Sequence, residues 1–449
     1  MIDCFKKHPL YPVIIIAAAG ILLRLCFVLP GIFAQNHERY LRPDSEFYMR
    51  AAYSLVNGHG YPGSIRAPGF SVTAALLLKA VDSPLFISAF FALTGGLAAI
   101  LVYASAKEYA NHKTALLAEA LYSFDLTAIV NAPMLLTDTF FGILTALQLC
   151  FFVLFLKRKK SRFIGLTALT AALGTLIRPI NLLWFLPGIT LIFFVSGIGW
   201  KKKCLNALLF LLIFWGTISP WMIRNAMRDA GFCIDVNTGA MLHQNGAMLL
   251  AEVNGTDFES EKAVMLKNLN KLFSDKQRFP TEKSRVDYRK KEYTRLILAH
   301  PFIWLKQQFQ WKILLPDIPT GFEILGVTSA GRGTMGVMAK QGVWAAVYHY
   351  FDGKIHLPFL FLPLLLPALL TCIGCAVQLF CDIKNIRQKF LEILIFLAFV
   401  EYYLFLPGAI TAPRYQIPAL PFAVTLAATG LFYLWEIISR ILKKQSKKR

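Results

Sequence analysis

Only 16% of this 449-residue chain is charged, so the positions able to do acid–base or ionic chemistry stand out. The sharpest is Asp44, in Pro43-Asp44-Ser45-Glu46-Phe47-Tyr48, followed by Arg66 in Arg66-Ala67-Pro68-Gly69-Phe70. An accessible carboxylate can take a proton from a hydroxyl or an amine. An arginine offers a planar donor fork that suits phosphate. Each also has a plainer reading. Asp44 and Ser45 precede a helical pattern and either could cap its free N–H groups. Arg66 opens an apolar stretch, and its stem could lie along lipid with the head at the interface. Arg42 is the nearby base in sequence. Glu46 is a second carboxylate, but helical geometry turns it roughly 200° from Asp44, so the two need not share a site.

Further candidates fall at the borders of apolar runs. Asp138 lies in Leu136-Thr137-Asp138-Thr139, and Arg178, Arg224, Arg228 and Arg414 lie at the ends of later runs. A cap for Asp138 and interfacial anchoring for each arginine would explain them singly. As a set, beside loops bearing carboxylates, they also suit an anionic lipid headgroup. Arg24, Glu119, Asp125 and Glu401 lie within apolar runs, where a charge is costly and implies a partner or a function. The histidines are scattered without ligand spacing, so no metal site is indicated. Cys372 and Cys375 have redox-motif spacing but sit in an apolar run and read as packing residues. The glycine-rich stretch 331–336 lacks the strand–helix context and the Lys-Ser/Thr of a phosphate loop and reads as a flexible loop.

The elements that must hold these residues are mostly membrane spans. The chain is 56% hydrophobic with mean hydropathy +0.53, and its long apolar runs mark a polytopic membrane protein. The net charge of +21 does not point to nucleic acid, because much of the Lys and Arg is clustered between apolar runs, as in cytoplasmic loops. Runs at 12–33, 84–106, 114–130, 134–156, 163–177, 180–198, 205–221, 355–380, 390–406 and 417–438 predict about ten spans. Lys6 and Lys7 before the first run, and the basic tail, put both termini in the cytoplasm. Without a small-residue cleavage site, the first run is a retained helix. The loop 34–81 is then extracytoplasmic. It carries an amphipathic helix through Tyr48 and Val56 and a second, interfacial or re-entrant helix over 68–81. A polar stretch from Met222 to Asp352 reads as a mixed extracytoplasmic domain. The expected organisation is therefore 1–221, 222–352 and 353–449.

This pattern resembles the GT-C superfamily of membrane glycosyltransferases. It is most similar to the branch containing protein O-mannosyltransferases and the lipid A aminoarabinose transferase. The first-loop acidic motif with its tyrosine, Asp44-Ser45-Glu46-Phe47-Tyr48, and the basic residue before proline, Arg66-Ala67-Pro68, carry the resemblance. So do Leu136-Thr137-Asp138, Leu176-Ile177-Arg178-Pro179, Ser219-Pro220-Trp221-Met222-Ile223-Arg224-Asn225 and Ala412-Pro413-Arg414-Tyr415-Gln416-Ile417-Pro418. The resemblance implies an all-α GT-C fold in the plasma membrane and a polyprenyl-phosphate sugar donor. It also implies an extracytoplasmic glycan, lipid or protein acceptor. Asp44 then matches the catalytic base, and Arg66, Tyr48, Asp138, Arg178, Arg224, Arg414 and Tyr415 contribute to the substrate site. No cofactor, nucleotide or nucleic acid is implied. Ser45 stands where many members carry a second acid, and Ile65 precedes Arg66 where an acid can stand, so the metal of some relatives is not carried over. The alternatives are a transporter or flippase of a lipid-linked sugar, against which stands the absence of an internal repeat, and a non-catalytic scaffold.

Overall fold

The computed structural model describes residues 10–63, 66–327, 337–338, 341–351, 353, 359 and 362–446. Lys6, Lys7, Ile65, the stretch 331–336, Asp352 and the tail from 447 lie outside the described residues. Among those described, every regular element is a helix. In chain order they begin with α1 (Tyr11–Cys26), α2 (Leu29–Phe33), α3 (Pro43–Val56), α4 (Gly69–Ala80), α5 (Pro84–Tyr109), α6 (His112–Ser123) and α7 (Leu126–Asn131). Then come α8 (Thr137–Arg158), α9 (Ser161–Ile177), α10 (Phe185–Phe194) and α11 (Trp200–Ala226). The polar segment carries α12 (Asn237–Asn254), α13 (Phe258–Phe273), α14 (Glu282–Ala299), α15 (Pro301–Gln308), α16 (Ile318–Ile324) and α17 (Val343–Tyr350). The chain closes with α18 (Leu362–Lys384), α19 (Ile386–Phe396), α20 (Tyr402–Phe405) and α21 (Leu420–Ser446).

Six helical segments among the described residues are long and apolar enough to cross a membrane: Tyr11–Phe33, Pro84–Tyr109, Thr137–Arg158, Trp200–Ala226, Leu362–Lys384 and Leu420–Lys443. The chain is thus a multi-pass membrane protein. The other four expected spans are shorter or broken. The run at 114–130 is α6 and α7, divided at Asp125, whose Oδ1 accepts from Ala128 N at 2.8 Å and starts a new helix. The run at 180–198 opens with a 3-10 turn over Pro179–Trp184 before α10. The run at 390–406 passes through a π-turn at Leu397–Glu401. Trp184 Nε1 donates to Ala398 O at 2.9 Å and ties these two irregular segments together. Hydropathy registers apolar length and does not see such breaks, because the residues on either side stay apolar.

Arg24 finds its partners in carbonyls. It donates to Gly20 O at 3.0 Å, Ser123 O at 2.9 Å and Tyr122 O at 3.2 Å, closing the end of α6. Glu119 is fully buried, and neither carboxylate oxygen has a partner among the described residues.

Candidate active site

The start of α3 corrects the capping reading of Asp44. Arg42 is the N-cap residue and Pro43 the first helical residue, where proline's missing N–H costs nothing. Ser45 Oγ accepts from Arg42 N at 2.9 Å, so the buried serine closes the helix end. Asp44 is left free of that duty. Its Oδ1 accepts from Arg66 Nη2 at 2.7 Å. The Asp44 side chain is 42% exposed and that of Arg66 16%. The guanidinium of Arg66 lies over the rings of Phe47, at 5.3 Å, and Tyr48, at 5.8 Å. Glu46 points to solvent, in keeping with the separation expected from the helical period.

Asp138 repeats the arrangement at the start of α8 and is likewise no cap. Its carboxylate is 4% exposed. Oδ1 pairs with Arg178, and Oδ2 lies 3.5 Å from Arg414 Nε. Both guanidiniums lie over the ring of Tyr415, at 4.9 and 5.3 Å. One buried acid and one aromatic ring therefore hold two arginines together. Tyr48 stands between the two clusters. Burial pushes its phenol up to about 12, against the pull of Arg66 and Arg178, while Asp44 and Asp138 raise it further. A small recess of about 10 Å³, lined in part by Arg178, Tyr403, Pro407 and Tyr415, opens beside the arginine pair.

Close backbone approaches set these distances. A Cβ on Gly69 would stand 2.8 Å from Leu176 O, so only glycine lets the start of α4 lie against the end of α9, next to Arg178. A Cβ on Gly142 would stand 2.7 Å from Ile417 Cγ2, which seats the Arg414 turn on α8. The turn is also held from the polar segment. Gln416 Nε2 donates to Leu315 O at 3.1 Å, and Asp317 accepts from Asn131 Nδ2 at 2.8 Å. α3 is held from the same side, by Arg42 on Glu323 at 2.7 Å and Arg39 on Ile324 O at 3.0 Å.

Arg224 has a different position. It donates to Tyr61 O at 2.7 Å and Gly63 O at 2.6 Å, and stacks on Trp221 at 4.4 Å. Arg228 reaches Tyr61 O at 3.3 Å. Tyr61 O–H in turn donates to Arg66 O at 3.2 Å. Arg224 thus fastens the strand of chain that leads to Arg66. The expected residues Asp44, Tyr48, Arg66, Asp138, Arg178, Arg414 and Tyr415 form one neighbourhood, and Arg224 braces its edge. Phe47, Tyr61, Glu323 and Asp317 are the site-forming residues that the sequence did not single out. Glu323 and Asp317 have partners far away in the chain, and no local signal marks them. No cluster of three or more His, Cys, Asp or Glu able to hold a metal occurs among the described residues.

Residues 66–223 match the family model described as dolichyl-phosphate-mannose-protein mannosyltransferase. That stretch includes Arg66, Asp138 and Arg178 and excludes Asp44 and Arg414. The chain superposes on the archaeal oligosaccharyltransferase AglB from Archaeoglobus fulgidus, solved with an inhibitory peptide and a dolichol-phosphate. The TM-score is 0.54 at 13% identity, over 98% of this chain and 52% of that one. A second structure, of the Archaeoglobus fulgidus oligosaccharyltransferase tethered to an acceptor peptide containing the NVT sequon, gives 0.52 at 12% identity, over 97% and 50%. The chain has a GT-C fold. It spans about half the length of these GT-C proteins. No curated protein matches it in sequence. Within the GT-C fold, the Asp44 and Asp138 clusters sit at the starts of α3 and α8, on the side where the polar segment packs.

Proposed function

We propose that this chain is an inverting glycosyltransferase of the extracytoplasmic membrane face, moving a sugar from a polyprenyl-phosphate donor to a hydroxyl or amine acceptor. The observation that carries this reading is the pairing of one accessible carboxylate, Asp44, with a neighbouring arginine pair fixed by a buried acid. The family match over 66–223 supports it. So does the fold shared with oligosaccharyltransferase structures solved with a dolichol-phosphate and an inhibitory peptide, or tethered to an acceptor peptide. Two carboxylates and three guanidiniums leave one net positive charge, complementary to a single phosphodiester.

In this mechanism Arg178 and Arg414 hold the donor phosphate, joined by Arg66 when it leaves Asp44. The acceptor loses its proton to Asp44 and attacks the anomeric carbon on the face opposite the phosphate. The new glycosidic bond forms as the carbon–oxygen bond to phosphate breaks. The electron pair leaves with the polyprenyl phosphate, whose growing charge the arginines stabilise. Purified protein in nanodiscs, given radiolabelled polyprenyl-phosphate sugar and envelope extract as acceptor, should form labelled product without an ion gradient. Asp44→Asn should lower that turnover by roughly 10²–10⁴-fold, the usual worth of a positioned base, while expression and insertion stay normal. Near-normal turnover in Asp44→Asn would remove Asp44 from the mechanism. Gradient-dependent movement of intact donor without transfer would replace the reading with transport.

A further inference from the structure

Away from the arginine clusters, one face of helix α13 stands open. Glu261, Val264, Asn268 and Leu272 recur on it at helical spacing. No residue of α13 is fully buried, and Val264 is 56% exposed. With α12 and α14 this face encloses a cleft of about 220 Å³. A cavity of about 150 Å³ holds one benzene ring, and drug-sized pockets begin at about 300 Å³. The cleft therefore has room for a single six-membered ring with its substituents.

The lining is mixed in its chemistry. Leu250, Val264, Met265, Leu269 and Leu296 are aliphatic. His243, Glu261, Asn268, Arg289 and Glu292 supply an imidazole, two carboxylates, an amide and a guanidinium. Acids and bases are both present, so the lining selects neither sign of charge. Donors and acceptors are both left over. Arg289 lies over the Phe273 ring at 4.9 Å, and its Nε, like His243 Nδ1, is buried without a partner among the described residues. Glu261 accepts from Asn254 and Thr256 through Oε1, and Glu292 pairs with Arg295 through Oε1, so Oε2 of each remains to accept. An unpartnered buried donor is costly. A hydroxyl both donates and accepts, so neighbouring hydroxyls on one ring can serve the guanidinium, either tautomer of the imidazole and the carboxylates. The C–H face of the same ring covers the aliphatic side chains. A phenol ring, with one hydroxyl, leaves most of these polar groups unmet.

Helix α15 joins the cleft to the arginine site. The hydroxyl of Tyr293, in the cleft wall, accepts from Trp304 Nε1 at 3.2 Å. Trp304 packs on Phe405 at 6.4 Å, and Pro407, two residues on, lines the recess beside Arg178. Gln307 Nε2 donates to Met248 O at 3.2 Å and to Glu252 at 2.7 Å, both on α12. A Cβ on Gly408 would stand 2.8 Å from Gln308 Oε1. One short helix thus touches both the cleft wall and the edge of the recess.

We infer that the α12–α14 cleft binds one neutral hexopyranose ring, with its C–H face on Val264 and Leu269 and its hydroxyls on Arg289, His243 and Glu292. Its role, holding a non-reacting ring of a glycan acceptor, rests on the proposed transfer. Sugar binding itself does not, and it is tested without donor. The full chain in nanodiscs is incubated with the methyl glycosides of glucose, galactose and mannose, or with p-cresol as the side chain of a tyrosine-bearing peptide. Amide exchange is then followed by mass spectrometry. At least one glycoside should slow exchange over 258–273 and 282–299 and leave 137–158 unchanged. Arg289→Gln should raise the concentration needed by about tenfold or more, the worth of a charge-assisted hydrogen bond. Leu269→Trp, which fills the cleft without touching a charge, should abolish the protection. No protection by any glycoside, protection by p-cresol alone, or protection unchanged in Leu269→Trp would overturn the assignment. If Arg289→Gln loses its melting transition, the native chain and Leu269→Trp decide. Protection by a glycoside without any labelled transfer product would keep the cleft as a sugar site and remove only its acceptor role.

Discussion

Replacing Asp138 by Asn tests the arginine pair without touching the proposed base. The carboxylate is 4% exposed, and the two guanidiniums it holds are 20% and 22% exposed. Asparagine keeps the shape but removes the carboxylate that pairs with both Arg178 and Arg414 beside one tyrosine ring. Breaking a buried ion pair by removing one partner costs about 3–5 kcal/mol. The melting midpoint of Asp138→Asn should therefore fall clearly, read by intrinsic fluorescence in nanodiscs. An added anion can take the place of the lost carboxylate. A ligand at a hundred times its Kd stabilises by about 2.7 kcal/mol, which would recover half or more of the loss. Inorganic phosphate should accordingly raise the midpoint of Asp138→Asn more than that of the native chain, with chloride at equal ionic strength as the control. Equal phosphate shifts in the two proteins, or an unchanged midpoint in the variant, would refute the reasoning. The arginines would then be positioned by something other than Asp138.

Three further outcomes follow from the geometry. Gly69→Val should cost about 1–3 kcal/mol by overpacking against Leu176; since it shifts α4 beside Arg178, it should also lower turnover, and normal activity would show that this approach is not needed. Glu323→Gln should free the start of α3 from α16; with both partners about a fifth exposed, the stability loss should stay within about 1 kcal/mol, while amide exchange over the first turn of α3 quickens. Tyr48→Phe should flatten the alkaline stability limb. The folded-state pKa of Tyr48 lies above its unfolded value near 10, at about 12, so its contribution is complete below pH 10 and is lost as pH rises towards 12. Melting midpoints at pH 9 and 11.5 should differ less in the variant than in the native chain.

Much of this was legible in the sequence, for identifiable reasons. Long apolar runs bordered by basic clusters gave the membrane class. The helical period of Tyr48, Ala51, Ala52 and Leu55 gave α3, and the 68–81 stretch gave α4. Short motifs at run borders gave most of the clustered side chains. Helix continuity was not legible. Asp125 splits one apolar run, and a π-turn interrupts another, with no change in hydropathy at either place. Long-range partners were equally hidden. Arg24 caps carbonyls of α6, and Glu323 and Asp317 reach back from the polar segment to the first loop and to α7. Such pairings depend on tertiary placement, and no spacing rule encodes them. The role of Arg224 also changed. At a run border it reads as a phosphate contact, yet two of its nitrogens hold the carbonyls of Tyr61 and Gly63.

Asp44 and Asp138 show where sequence reasoning must stop and geometry begin. Each lies in the first turn of its helix, each could cap, and each has an arginine partner. They differ in what remains free. Asp138 uses both oxygens, one for Arg178 and one for Arg414, and is sealed from solvent. To accept a proton it would have to give up two ion pairs and leave two arginines unbalanced. Asp44 bonds Arg66 through Oδ1 alone and keeps 42% of its side chain exposed. A substrate hydroxyl or amine can reach Oδ2 without any pair being broken. Asp44 is therefore the proposed base, and Asp138 the acid that holds together the two arginines proposed to bind phosphate.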